Sequence, residues 1–448
     1  MFKKFTNGCV SVMNKYLPDP FLFAIILTFI VFAAGIGMTG QGPLDMMLHW
    51  ANGFWGLLSF SMQMAMVLVL GNTMASAGVF KKGLRSIAST AQTPSRAIMI
   101  TAFVSAVCCW INWGFGLVIG ALLAKEIAKQ VKGVDYRLLI ASAYSGFVVW
   151  HGGMSGSIPL GVAAVGADGV VANTGGVITE AIPTSLTIFS PMNLVISAII
   201  IIGLPFVCRA MMPDKEHTIE VDAALLVEDA EKVYKIETPA DKLEHSRIIW
   251  AIVLILGFAY IIYNIALNKL NSLNLNFVNF IFMFAGILLH GNLKRYIDAF
   301  ADSAKSCSGI LLQFPFYAGI QGMMTGAVAG VSLAGVISTF FVGIATTTTF
   351  PLFTFLSAGI VNFFVPSGGG QWAVQGPIMM PAGLEIGVPA AKTAMAIAWG
   401  DAWTNMIQPF WALPALGIAG LSAKDIMGYC VITLLFSGVV IAAGFLIF

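Results

Sequence analysis

Ile111-Asn112-Trp113-Gly114-Phe115-Gly116 and Asn362-Phe363-Phe364-Val365-Pro366-Ser367-Gly368-Gly369-Gly370-Gln371-Trp372 interrupt two hydrophobic stretches of this chain. Backbone inside a bilayer must satisfy its own hydrogen bonds. Non-helical chain at that depth survives only inside protein or beside a polar cavity. Two such breaks at corresponding places in two halves point to the substrate site of a secondary transporter.

The surrounding sequence supports a membrane setting. Of 448 residues, 58% are hydrophobic and 10% are charged, with a mean hydropathy of +0.88. Globular domains carry about 25% charged residues. A soluble core cannot absorb so much apolar surface, so the fold class is an all-α polytopic membrane protein. A β-barrel would alternate apolar and polar residues, and here the apolar blocks are solid. The net charge of +2 carries no signature of nucleic-acid binding. The first 17 residues hold Lys3, Lys4 and Lys15 without a small-residue cleavage site, and read as an interfacial helix. None of the six cysteines has metal-ligand spacing, so they read as core residues.

A spanning helix needs about 20 mostly apolar residues. By that measure 20–38, 54–78, 138–160, 189–208, 248–264, 277–291, 306–326, 394–417 and 426–448 are spans. The stretches 97–124 and 350–384 are too short for two crossings each and read as re-entrant hairpins. Segments 80–93 and 331–345 precede them along the interface. With the N-terminus in the cytoplasm, all of the 23 basic residues except Lys269 and Lys392 fall inside, a strong positive-inside bias, and the C-terminus lies outside.

The halves correspond. Phe23 matches Phe277, Gly37 matches Gly291, Gly56 matches Gly309, Asn112 matches Asn362 and Gly146 matches Gly400, at offsets of 250 to 254 residues. The first copy (18–212, hairpin 97–124) returns the chain to the cytoplasm. A connector (213–247) with Glu228, Asp229, Glu231 and Lys232 follows, and the span 248–264 carries the chain out. The second copy (275–448, hairpin 350–384) is therefore inverted. Such repeats hold their site at the midplane between them.

Each hairpin is followed by a span that also looks broken: Ser145 to Pro159, through His151-Gly152-Gly153, and Trp399 to Pro409, through Asp401 and Asn405. Free N–H groups at a half-helix start favour an anion; free carbonyls at a half-helix end favour a cation. This assigns a carboxylate substrate to Asn112, Trp113, Gly114, Gly116, Ser155, Ser157, Asn362, Ser367, Gly368, Gly369, Gly370 and Gln371. A coupling Na+ or H+ goes to Asp401, Asn405 and Asn362, with no other cofactor or metal. A charge at the bilayer centre costs about 2.5–3.5 kcal/mol on insertion scales, so Asp401 must face a cavity or a partner. His151 reads as a histidine hydrogen-bonded to backbone rather than as a proton relay. Trp113 and Trp372 border the tips as walls for a short acyl chain. An intramembrane enzyme lacks support: there is no HExxH, and no motif pairs Ser155 or Ser157 with a base. An anion channel for small carboxylates is the alternative.

The chain resembles the short-chain fatty acid transporters of the ion-transporter superfamily. The resemblance is carried by Leu17-Pro18-Asp19-Pro20, INWGFG from Ile111, SGFVVWHGGMSGS from Ser145, QFPFYAGIQ from Gln313, VPSGGGQW from Val365, QGP from Gln375 and QPFWALPALGIAGL from Gln408. It runs nearly end to end. It implies a bacterial inner-membrane carrier for butyrate- or acetoacetate-like monocarboxylates, with a scaffold domain, a moving transport domain and a homodimer. It also implies a glycine where His151 stands.

Overall fold

Proline after a capping residue starts many of the helices. The cap satisfies an early N–H, and proline at the first helical position has none to satisfy. In the computed structural model, which describes residues 2–163, 165, 169–171, 173–222, 236–268 and 275–448, Asp19-Pro20, Thr93-Pro94, Ser190-Pro191 and Thr238-Pro239 all act this way. Glu228, Asp229, Glu231, Lys232 and Lys269 lie outside the described residues.

The helices of the first half are α1 (Phe2–Tyr16), α2 (Pro20–Thr39), α3 (Pro43–Gly53), α4 (Leu58–Ser76), α5 (Gly78–Ala88), α6 (Pro94–Ile111), α7 (Trp113–Gln130), α8 (Tyr136–Ser145), α9 (Ser157–Gly161) and α10 (Pro191–Ala210). Then come α11 (Pro239–Glu244) and α12 (Arg247–Asn268). The second half holds α13 (Leu275–His290), α14 (Leu293–Ala304), α15 (Ser308–Thr325), α16 (Leu333–Gly343), α17 (Phe350–Phe364), α18 (Gly368–Ile386), α19 (Ala390–Thr404), α20 (Leu413–Ala419) and α21 (Ala423–Ile447). The order α2 to α10 recurs in α13 to α21: long helix, short helix, long helix, short helix, helical hairpin, broken helix, long helix. The halves exchange partners, since α2 packs on α15, α13 packs on α4, and α10 meets α21.

Nine spans are expected from the sequence, of which 138–160 and 394–417 look broken. Among the described residues, five helices are long and apolar enough to cross a membrane, one of them α6, an arm of the stretch read as a re-entrant hairpin; there are six if α3 and α4, bent by 45° to each other, form one span. The difference has local causes. The breaks expected in 138–160 and 394–417 fall between α8 and α9 and between α19 and α20. Helix α13 has 16 residues, and α15 carries Pro315, Gln313 and Gln321. The first hairpin is longer than 97–124. Its arms run from Pro94 to Gln130, because α7 continues through Lys125, Glu126 and Lys129. Glu126, only 7% exposed, satisfies its charge by pairing with Lys129 at 2.5 Å and Arg85 at 3.4 Å.

Helix α1 is amphipathic and lies on α21, with Val10 against Gly428. Lys3 donates to Asp214 at 2.8 Å, which holds that carboxyl below its ordinary range. Close backbone contact joins α3 to α15: a side chain on Gly53 would strike the Gly322 Cα at 2.8 Å. Small residues at such crossings let helices approach where no hydrophobic gradient drives them together.

Candidate functional site

Both hairpin tips are built the same way. Asn112 is extended (φ −150°, ψ 118°), ends α6, and caps α7 by accepting the Phe115 N–H on Oδ1 at 3.0 Å. Ser367 is extended (φ −148°, ψ 107°) and caps α18 by accepting the Gly370 N–H on Oγ at 3.3 Å. The structural counterpart of Asn112 is therefore Ser367. Asn362, which the offset of identical residues paired with Asn112, sits in the last turn of α17 with a different task.

That task is to tie the hairpin to the second broken helix. Asn362 Nδ2 lies 2.8 Å from the Asp401 carbonyl, 2.9 Å from Thr404 Oγ1 and 2.8 Å from Asn405 Oδ1. The first tip is tied to the first broken helix. Trp113 N–H donates to Ser155 Oγ at 3.0 Å, and Met154 N–H donates to the Trp110 carbonyl at 2.7 Å.

The two broken helices then meet. After α8 the chain tightens into a 3-10 turn, Gly146–Gly152, and opens before α9. His151 is the second-last residue of that turn. Its Nδ1 lies 2.7 Å from Asp401 Oδ2, and both side chains are fully buried. On the other side of the ring, Nε2 lies 3.0 Å from the Ile158 N–H and 3.1 Å from Ser157 Oγ. A backbone N–H can only donate, so Nε2 accepts and the ring proton sits on Nδ1, facing Asp401. The imidazole is thus neutral and does not itself cancel a charge on Asp401. Asp401 Oδ1 and Asn362 Oδ1 are buried with no hydrogen-bond partner. A buried carboxylate oxygen without a partner is costly, and it suits a proton or a small hard cation; the Asn405 Nδ2 is likewise buried without a partner.

The second tip lies over this pair. A Cβ on Gly368 would stand 2.5 Å from Ser157 Oγ, 2.6 Å from His151 Cε1 and 3.1 Å from Trp150 Cη2. Gly369 and Ser157 are exposed, while Ser155 is buried. Gly368 and Gly369 hold the first two positions of α18, where N–H groups have no partner within the helix. An aromatic cluster borders the first tip. Trp113 makes edge contacts with Trp150 at 5.9 Å and Trp411 at 5.2 Å. Phe147 stacks on Trp150 at 5.5 Å.

Several residues named from the sequence have other duties. Gly116 is a packing position: a Cβ there would stand 2.5 Å from Cys109 Cα, so it brings the arms of the first hairpin together. Gly114 is buried at the second position of α7. Gly370 admits Gln321 of α15. Gln371 braces the second hairpin from within, donating to the Ala358 carbonyl and to Gln375 Oε1, both at 2.8 Å. Trp372 is buried against a secondary core that includes Ile158 and Met379, away from the aromatic cluster. Asn405 stands in the site, its carbonyl accepting the Tyr144 hydroxyl at 2.6 Å. Ser157, which no sequence motif pairs with a base, has His151 beside it.

Asn193 escaped the sequence reading. Its Nδ2 donates to the Gly152 carbonyl at 2.8 Å and the Ile188 carbonyl at 2.7 Å, and its Oδ1 accepts the Trp399 indole N–H at 2.9 Å. It locks the first break against α19. A fully buried amide inside α10 was the available signal, but its place in the first turn made it resemble a helix-start residue.

Two broken helices and two hairpin tips, joined by buried polar contacts inside an apolar helical protein, define a multi-pass membrane protein with an internal polar site. The family model described as short chain fatty acid transporter matches residues 1–448, and the chain belongs to that family. A relative from Escherichia coli K12 is 46% identical over the full length of both chains, and one from Haemophilus influenzae Rd is 44% identical over 99% of each; both carry the provisional name short-chain fatty acid transporter. The crystal structure of the Alcanivorax borkumensis YdaH transporter is a distant likeness, with a TM-score of 0.44 at 16% identity, covering 96% of this chain and 97% of that one.

Proposed function

We propose that the chain is a secondary active transporter. It moves short monocarboxylates of the butyrate or acetoacetate kind across the bacterial inner membrane, coupled to H+ or Na+, by alternating access. The names of the two full-length relatives support the substrate class. The observation that carries the coupling is Asp401, a fully buried carboxylate whose Oδ1 lacks a hydrogen-bond partner.

In this reading the substrate carboxylate takes the N–H groups of Gly368 and Gly369 and the hydroxyl of Ser157. Trp113 and Trp150 wall the acyl chain. Asn112, Ser155 and Ser367 shape the tips through their capping bonds, and the cation sits at Asp401 with Asn362 and Asn405. The halves 18–212 and 275–448 are inverted repeats, with α12 linking them. The hairpins α6–α7 and α17–α18, with the broken helices, move against α2–α4 and α13–α15. Arms of 18 residues in the first hairpin are about 27 Å long at 1.5 Å per residue. Re-entrance therefore rests on each tip meeting a broken helix, not on arm length. No feature of the site favours a channel.

Uptake of labelled butyrate into proteoliposomes tests this, with Na+ replaced by K+ at several pH values. Accumulation should follow one imposed cation gradient. Ser367→Ala and Asp401→Asn should reduce it while leaving a monodisperse, folded protein. Gradient-independent equilibration in a folded preparation would defeat the proposal, as would full activity in both variants.

A further inference from the structure

Three side chains link the exposed face of the site to its buried charge. Ser157 Oγ lies 3.1 Å from His151 Nε2, and His151 Nδ1 lies 2.7 Å from Asp401 Oδ2. These are the spacings of a nucleophile, a base and an acid. The Ile158 N–H argues against that chemistry, because it donates to the same Nε2 at 3.0 Å. It is fixed in the backbone and keeps Nε2 an acceptor, so the ring is poorly placed to take the serine proton. The arrangement suits a relay of hydrogen bonds instead.

Ser157 has one hydroxyl proton and two claimants for it. In an empty site the proton goes to Nε2. A substrate carboxylate at Gly368 and Gly369 competes for it, and a charge-assisted bond is the stronger of the two. Once the proton turns to the substrate, Nε2 loses one of its two donors. Hydrogen bonds in a chain polarise one another, so the Nδ1–H becomes a weaker donor to Asp401. The carboxylate is then less well held as a bare anion, and a cation at Oδ1 binds better. The sign is that of symport: substrate favours cation. By linkage the cation favours substrate by the same factor.

We propose that His151 is a positioning residue that transmits substrate occupancy from Ser157 to Asp401, making monocarboxylate and coupling cation bind cooperatively. This rests on the transport reading above. Among the described residues, His151 is the titratable side chain in contact with Asp401. Of the elements packed on α19, α17 and α9 contain no charged residue; Glu385 of α18 is exposed at that helix's far end, and on α21 both charges lie in the first turn, Lys424 exposed and Asp425 taken by Ser422. Tyr144 of α8 reaches only the Asn405 carbonyl.

The test is butyrate binding to the purified full-length protein in lipid nanodiscs. Kd is measured with and without Na+ at fixed pH, and at pH 6 and pH 8 without Na+. The larger ratio identifies the cation and defines the coupling factor, expected between about 5 and 150. His151→Asn keeps an N–H donor for Asp401 but places no acceptor at the Nε2 position, where Ser157 donates; Ser157→Ala removes the proton itself. In each the factor should fall at least about five-fold, to the residue left by direct anion–cation attraction. If His151→Asn does not fold, Ser157→Ala decides alone. Variants that keep the wild-type factor overturn the relay and leave transport standing. A wild-type factor of 1 removes the coupled-transport reading and the relay together. Covalent labelling of Ser157 by a fluorophosphonate would show a nucleophile and also overturn the relay.

Discussion

Gly368→Ala should plug the site, and the structure sets the size of the effect. The added Cβ would stand 2.5 Å from Ser157 Oγ and 2.6 Å from His151 Cε1, where real Cβ contacts below 3.0 Å are essentially never seen. The serine hydroxyl can rotate away. The histidine ring cannot, since Asp401 holds one nitrogen and Ile158 the other. The strain therefore falls on the hairpin tip, which must lift by about half an ångström or more. Overpacking of this kind costs about 1–3 kcal/mol, equivalent to about a 5- to 150-fold loss when each tenfold is about 1.4 kcal/mol. The loss should appear as reduced initial uptake of labelled butyrate at substrate concentrations below KM, with a monodisperse elution profile and an unfolding midpoint lowered by a few degrees at most. Gly83→Ala on α5, with no atom within 4 Å of the added Cβ, is the control and should stay within about two-fold. Wild-type uptake by Gly368→Ala would refute the proximity of the second tip to His151, and with it the convergence of the halves.

Asn362→Ala removes a side-chain N–H2 that serves three buried acceptors. It should destabilise the protein by about 1–3 kcal/mol, read as an earlier thermal unfolding midpoint, and should abolish uptake. Asn362→Asp keeps the shape but turns an acceptor toward acceptors, so it should be at least as damaging; two stable, active variants would contradict the assignment. Chain-length discrimination should be shallow. Each buried methylene contributes about 0.8 kcal/mol, roughly four-fold, so competition by C2 to C6 acids should change gradually. A thousand-fold separation of butyrate from valerate would contradict an apolar wall such as Trp113 and Trp150.

The hairpins and broken helices were legible because their chemistry is local. A tip needs a capping side chain and residues without bulk, and Asn112-Trp113-Gly114 and Ser367-Gly368-Gly369 carry both in a few positions. The length of the first hairpin was not legible. Lys125, Glu126 and Lys129 look like a membrane boundary until Glu126 is seen paired with Lys129 and Arg85. Matching Asn112 to Asn362 failed for a related reason. Helix capping selects an oxygen at a position rather than a residue type, so the equivalent role passed to Ser367, and identity misled.

The buried charge marks a deeper limit. Asp401 stands out in the sequence because a carboxylate in an apolar span is expensive, and that reasoning demands a partner without naming one. The partner is His151, 250 residues away, which the sequence left as an ordinary backbone-bonded histidine. The backbone bond is real, and it decides the chemistry. The Ile158 N–H on Nε2 fixes the tautomer, which makes Nδ1 the donor to Asp401 and leaves the ring neutral. Had Nε2 faced a backbone carbonyl instead, the ring would hold both protons, and the same two residues would form a neutralised ion pair with no call for a cation. The electrostatic state of the site thus depends on one main-chain group in the first turn of α9, and residue types alone do not encode where that group points.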